Sequence, residues 1–392
     1  MAEIGTDWRA VDGVTTAWFD AASLLEGAAL ATRIVELSAE SVVDLRATGV
    51  RVRVDSDEHA EAVSAAARDL GLGSNAASLQ QLSVVLESAN PSAVRPFWQR
   101  VLDYAPGVDG GLADPQRRDP ALRIRPSSEP RPLRNRLHLD VVRPAQKVEQ
   151  AGLGEASGPF GVCHRDPDGN EVDLVPGAAL GEGIETADWQ AVFSAMVCYR
   201  VTSPTQQGDL AAAAAALADG AGFPLLVDLR PGLVIIDSGK DQWEEDAHGL
   251  EIKFIDLAGS LQTAARDLGA TADPGLPRFA QLFFDAADVA AVRAFWIAAL
   301  GYTADRRGGA TTDIHDPRRL NPDLVFQELD ASEAERRRQR NRIHLELAVP
   351  SDLAQVRLAT AIDSGGRLLA ESEDRWQVAD PEGNDLVILA GS

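Results

Sequence analysis

The sequence predicts an α+β protein made by tandem duplication, and three observations carry that reading. Motifs of the first half return in the same order in the second. Within each half, alternating apolar segments change to three- and four-residue apolar spacing and back again, as strands and helices do. The last apolar runs of both halves flank the same turn sequence, Asp-Pro-x-Gly-Asn.

The repeat is legible residue by residue. Asp7-Trp8 returns as Asp188-Trp189, and Val43–Arg46 (VDLR) as Val227–Arg230. Ala66–Gly71 (AARDLG) returns as Ala264–Gly269, and Phe97-Trp98 as Phe295-Trp296. Asn135-Arg136-Leu137-His138-Leu139 returns as Asn341-Arg342-Ile343-His344-Leu345, and Asp166–Asn170 as Asp380–Asn384. The spacing between matched segments never shrinks along the chain. A duplication with loop insertions in the second copy gives that drift, whereas chance matches scatter. Gly-rich residues 177–185 punctuate the joint.

Each copy divides again, so four domains are expected, over 1–76, 78–178, 186–271 and 276–391. The first part of copy one reads strand (15–19), helix (24–37), strand (50–54) and helix (59–70). The second part opens on a strand, 82–86 or 279–284, followed by a helix bearing Phe-Trp, short strands, the NR(L/I)H strand, a helix and two closing strands. That order is β-α-β-β-β taken twice. In the DPxGN turn, Pro fixes φ near −65° and Gly supplies positive φ, so residues 161–164 can pair with 171–175 and 375–378 with 385–389.

Composition narrows the function. The 392 residues carry a net charge of −23, which repels phosphate backbones and anionic membranes. Neither nucleic acid nor membrane is expected as a partner. A small-molecule ligand is expected, with the chain a monomer or homodimer. Two cysteines, Cys163 and Cys198, are too few for a disulfide framework and read as two thiols in a reducing cytosol. With no basic-then-apolar leader and no apolar run of membrane-spanning length, the expected location is cytoplasmic.

The runs 88–98 (SANPSAVRPFW), 135–141 (NRLHLDV) and 166–175 (DPDGNEVDLV), matched by 285–296, 341–347 and 380–389, resemble the glyoxalase-like branch of the vicinal-oxygen-chelate superfamily. The first parts resemble, more faintly, the pterin-4a-carbinolamine dehydratase fold. That second resemblance implies a His-His-Pro stretch where this chain has Ala39-Glu40-Ser41 and Phe223-Pro224-Leu225. Without an imidazole to shuttle a proton, dehydratase chemistry is not expected there. His59 and His248, elsewhere in the chain, are expected to be solvent-exposed.

The glyoxalase resemblance implies a sheet cup holding one divalent metal through four strand positions. Copy one offers Ser83, Arg125, His138 and Asp173; copy two offers Gln281, Gln327, His344 and Val387. Arg125 repels a cation and Val387 has no donor, so neither set is complete. Pairing strands between copies gives instead Gln281, Gln327, His138 and Asp173, a usable N/O set. The first expectation is therefore a metal-free cup binding an apolar or aromatic metabolite, with His138 and His344 as hydrogen-bonded cavity imidazoles and no cofactor. The alternative is an enzyme, a lyase, isomerase or dioxygenase, with His138, His344 and Asp173 catalytic and a divalent metal possible. The third reading is a pterin-related role. His164 is a further candidate for the cup. Asn135-Arg136 and Asn341-Arg342 are expected to hold the start of their strands, Trp98 and Trp296 to pack in the core, and Arg336–Arg340 to be a charged loop.

Overall fold

A computed structural model describes residues 5–330 and 332–391. The chain forms two compact units, and each takes one stretch from each copy of the repeat. One comprises the chain up to Leu79 with Gly177–Pro277; the other comprises Gln80–Pro176 with Arg278–Gly391.

In the first unit one sheet runs in the order Arg9–Val11, Val14–Asp20, Gly49–Val54, Val42–Arg46, Leu226–Arg230, Leu233–Asp237, Ala195–Arg200, Gln190–Ala191. Helix Leu24–Leu37 has the expected bounds because Ser23 caps it, its hydroxyl accepting from the Glu26 N–H. Strand Val42–Arg46 was not expected, since every residue in it is buried and alternation is hidden. It meets its own repeat, Leu226–Arg230, antiparallel, with Asp44 opposite Asp228. Two facing carboxylates repel, and here the arginines of the same motif neutralise them crosswise. Arg46 bonds Asp228 at 2.7 Å, and Arg230 bonds Asp44. Arg51 adds a bond to Asp44 at 2.6 Å. Burial raises the Asp44 carboxyl, but Arg230, Arg51 and Arg53 outweigh it and hold it well below its ordinary range. Helix Leu24–Leu37 packs on helix Pro204–Ala221. The contact is close enough that a Cβ on Gly208 would lie 2.7 Å from Thr32 Cγ2.

The histidines of this unit are held differently from expectation. His248 is buried, not exposed, with its ring against Phe223 at 5.7 Å. His59 is half-buried, its Nε2 3.4 Å from the Ser41 hydroxyl.

The second unit contains two polar-faced sheets, and in each the strands come from different copies. The first has the order Arg367–Ser372, Arg375–Ala379, Asp385–Gly391, Ile343–Pro350, Gln81–Ser88, Leu122–Pro126, Leu112–Ala113, Ala105–Pro106. In the second, Glu171–Ala179, which also pairs with Cys163–Arg165, is followed by Leu137–Pro144, Phe279–Ala286, Leu324–Glu328, Ile314–His315 and Thr303–Ala304. The module opening copy one therefore pairs with the module closing copy two, and the reverse. The seams are antiparallel, with Val85 opposite His344 and Phe283 opposite His138. Copy one's closing module differs from the expected β-α-β-β-β. Among the described residues it has only Cys163–Arg165 and Glu171–Ala179 after helix Ala145–Ala151.

The repeated motifs lock this exchange. Asn135 Oδ1 accepts from the Arg342 N–H, and Asn341 Oδ1 accepts from the Arg136 N–H, both at 2.8 Å. The side-chain amides of Asn135 and Asn341 donate to Asn170 and Asn384 of the two DPxGN turns. The turns do more than reverse the chain. Asp166 and Asp380 accept from the indole N–H groups of Trp98 (2.8 Å) and Trp296 (3.1 Å), which are fully buried beside Phe97 and Phe295. Gly169 and Gly383 carry the positive φ, 77° and 83°, that the turn requires.

Replacing Asp44 by Ala would leave Arg230 and Arg51 buried without their anion. We expect a loss of about 3–5 kcal/mol in urea unfolding; a loss under 1 kcal/mol would mean the crosswise pairs carry no weight.

Candidate functional site

Alternation decides which side chains share a face. In strand Leu137–Pro144, Leu137, Leu139 and Val141 enter the hydrophobic core, so His138 and Asp140 project from the opposite face. In strand Phe279–Ala286, Leu282, Phe284 and Ala286 enter the core, leaving Gln281, Phe283 and Asp285 opposite. In strand Glu171–Ala179, Val172 and Leu174 are core, which leaves Glu171 and Asp173.

His138, Asp140 and Asp173 come together, with one ligand atom from each lying within 4.8 Å of the others. His138 Nε2 is 3.6 Å from Asp140 Oδ1, and the two side chains are 12 % and 10 % exposed. The Gln281 amide donates to Asp140 at 3.1 Å, while its own buried oxygen has no hydrogen-bond partner. The half-exposed Phe283 ring stacks on His138 with centroids 5.2 Å apart and planes 17° from parallel. Around this group the other carboxylates are already matched. Asp285 is held by Arg336 and Gln327, and Glu171 by Arg134 and Arg165.

The donor chemistry fits a divalent cation. One imidazole and two carboxylates supply nitrogen and charge, and Gln281, bonded to Asp140 through its amide nitrogen, has its oxygen unpartnered. Burial lowers the His138 pKa against the pull of Asp285 and Asp173, so the ring is neutral near pH 7, the form that ligates a metal.

The within-copy sets are not assembled. Ser83, Arg125, His344 and Val387 share the face of the other sheet, because strands pair between copies. Of the four residues named together from sequence, His138, Asp173 and Gln281 meet around Asp140, whereas Gln327 is exposed and bonds Asp285. Asp140 was missed. The signal was present, since a residue two after His138 on a strand shares its face. His164 faces away. With Phe160 and Leu174 it lines a separate cavity of about 570 Å³ beside helix Ala145–Ala151. The run expected as a charged loop is helical through Arg338, within helix Ala334–Arg338. Arg336 is buried on Asp285, and Arg340 bonds Asp385 at 2.7 Å.

His344 lies 3 % exposed in the other sheet. Neither of its ring nitrogens has a hydrogen-bond partner, contrary to the hydrogen-bonded imidazole expected. Burial pushes its pKa down to about 4, against the opposing pull of Glu87, Asp385 and Glu346.

The second unit is thus built of two sheets of paired modules, each with a polar face and a helix-covered core. The family model for the glyoxalase-like domain matches residues 83–175 and 281–389, a little over half of the chain, and the chain belongs to that family. Among solved structures it is similar to glyoxalase I from Zea mays, at 9 % identity over 80 % of this chain and 93 % of that one, with a TM-score of 0.37. It is also similar to the cppA protein from Streptococcus pneumoniae TIGR4, at 11 % identity over 79 % and 97 %, with a TM-score of 0.34. No curated protein matches. The family assignment rests on the sequence match. No helix of the described residues is long and apolar enough to cross a membrane.

The depressed His344 pKa sets a pH dependence. The unfolded chain takes up this proton near pH 6.5 and the folded chain only near 4. Stability is therefore full above about pH 6.5 and is lost as pH falls toward 4, by about 3 kcal/mol from this group. Urea midpoints should drop between pH 7 and 4.5 in the wild type and markedly less in His344→Phe; equal drops would contradict the assignment.

Proposed function

We propose that the protein is a metal-dependent enzyme of the glyoxalase-like family, a lyase, isomerase or dioxygenase acting on a small molecule at the His138 face. The convergence of His138, Asp140 and Asp173 beside the unpartnered Gln281 oxygen carries this reading. These four residues would hold a divalent cation, which polarises adjacent oxygens of a bound molecule.

The remaining side chains would bind and orient. Phe283 offers the partly exposed edge of its ring as an apolar wall next to His138, which suits an aromatic or aliphatic body. Arg134, 48 % exposed and tied to Glu171, places a cation at the rim where a polar end of the ligand would lie. Asp285, held by Arg336 and Gln327, is kept from collapsing onto His138. The family membership and the donor cluster favour this reading over the metal-free one, because two carboxylates beside a neutral imidazole repel each other unless a cation lies between them.

Titration of the metal-stripped protein with Mn²⁺, Co²⁺ or Zn²⁺ by calorimetry tests the reading. We expect one tight equivalent per chain, weakened more than about tenfold in Asp173→Ala and in His138→Ala. No binding by the wild type, or binding unchanged in both variants, overturns it.

A further inference from the structure

The second polar face, built around His344, has the opposite charge character, and the family's metal chemistry does not account for it. Glu346, with a 1 % exposed side chain, lies at the centre of three guanidinium groups. Arg123 and Arg125 reach it at 2.9 Å from one side of the sheet, and Arg375 reaches it at 2.8 Å from the other. Three cations share one carboxylate, so the cluster carries an excess of two positive charges. Nearby charges offset only part of the excess: Arg131 and Arg340 are shared among Glu87, Glu129 and Asp385, which leaves a surplus of one positive charge over the whole group. Such a surplus is unusual in a chain of net charge −23. The arginines are not sealed in: their side chains are 23 %, 39 % and 37 % exposed.

His344 supplies a second, independent observation. It lies on the same face as Glu346, two residues away on one strand, and its neighbour across the seam is Val85. It is 97 % buried by residue, and neither ring nitrogen has a hydrogen-bond partner. A buried imidazole without a hydrogen bond, its Nδ1 3.9 Å from the Glu87 carboxylate, is costly unless a ligand completes it. Val85 and Val387 are buried on this face outside the main core cluster and give it an apolar floor.

We propose that this face is a metal-free binding site for a small organic carboxylate. Arg125 and Arg375 take the carboxylate, His344 hydrogen-bonds a second oxygen of the ligand, and the valine floor takes its apolar body. Guanidinium groups bind carboxylates in a bidentate fashion, and the three-cation cluster repels any metal ion.

The probes are benzoate, salicylate (which adds a hydroxyl next to the carboxylate) and inorganic phosphate, titrated into the full chain by calorimetry in chloride-free buffer. We expect both carboxylates to bind, salicylate more tightly, and the salicylate advantage to vanish in His344→Phe. Arg125→Gln with Arg375→Gln should weaken benzoate about tenfold. Glu346→Gln, which removes the internal competitor, should strengthen it. Because these variants move affinity in opposite directions, loss of folding cannot mimic the pattern. Asp173→Ala, in the other cup, should leave benzoate binding unchanged. Uptake of phosphate but of neither carboxylate, no uptake at all, or equal affinity in Arg125→Gln/Arg375→Gln and Glu346→Gln overturns the proposal.

Discussion

The crosswise amide bonds at the start of the NR strands are the constraint on which the second unit depends. Asn135 takes the backbone N–H of Arg342, and Asn341 takes that of Arg136, so neither copy can begin its central strand without the other. Buried N–H groups left without acceptors cost about 1–3 kcal/mol each, and here each copy holds the other's acceptor. The same asparagines grip the DPxGN turns, whose aspartates anchor Trp98 and Trp296. Turn, strand start and core are thereby coupled in one network. Strand pairing between copies follows, and that pairing determines which side chains face each other.

The two copies of the duplicated template carry different side chains on their polar faces. The histidines at equivalent positions, His138 and His344, both have pKa values lowered by burial. Their partners differ. Opposite Asp140 lies Gln281, and opposite Glu346 lies Ser83. Asp173 of the closing strand corresponds in the repeat to Val387. Gln327 and Arg125 hold matching places beside Asp285 and Glu87. Exchange of strands gathers His138, Asp140, Asp173 and Gln281 on one face and Arg123, Arg125 and Arg375 around Glu346 on the other. A within-copy assembly would have placed Arg125 with His138 and spoiled both.

Much of this was legible in the sequence. The repeat, the glyoxalase-like modules and the turn hairpins followed from motif order and from residues whose physical role is local. Asp140 was equally readable, as the polar residue two places after His138. Longer-range features were not. Strand Val42–Arg46 hides its alternation because Asp44 and Arg46 are buried by ion pairs across the repeat. The burial of His248 against Phe223, and the use of Arg336 as a counter-ion for Asp285, depend on tertiary contacts that no local pattern announces. The choice between pairing within a copy and between copies also lay beyond local reading, since both satisfy the same alternation.

The proposed cation centre is single and is built jointly by the two copies of the repeat. Crystals soaked in Mn²⁺ and measured for anomalous scattering address this directly. One strong peak is expected, bounded by His138, Asp140 and Asp173 of the first copy and the Gln281 amide of the second, with none beside His344. A peak at His344, or a metal bound with Gln281 turned away from it, would rule out a centre shared by the two copies.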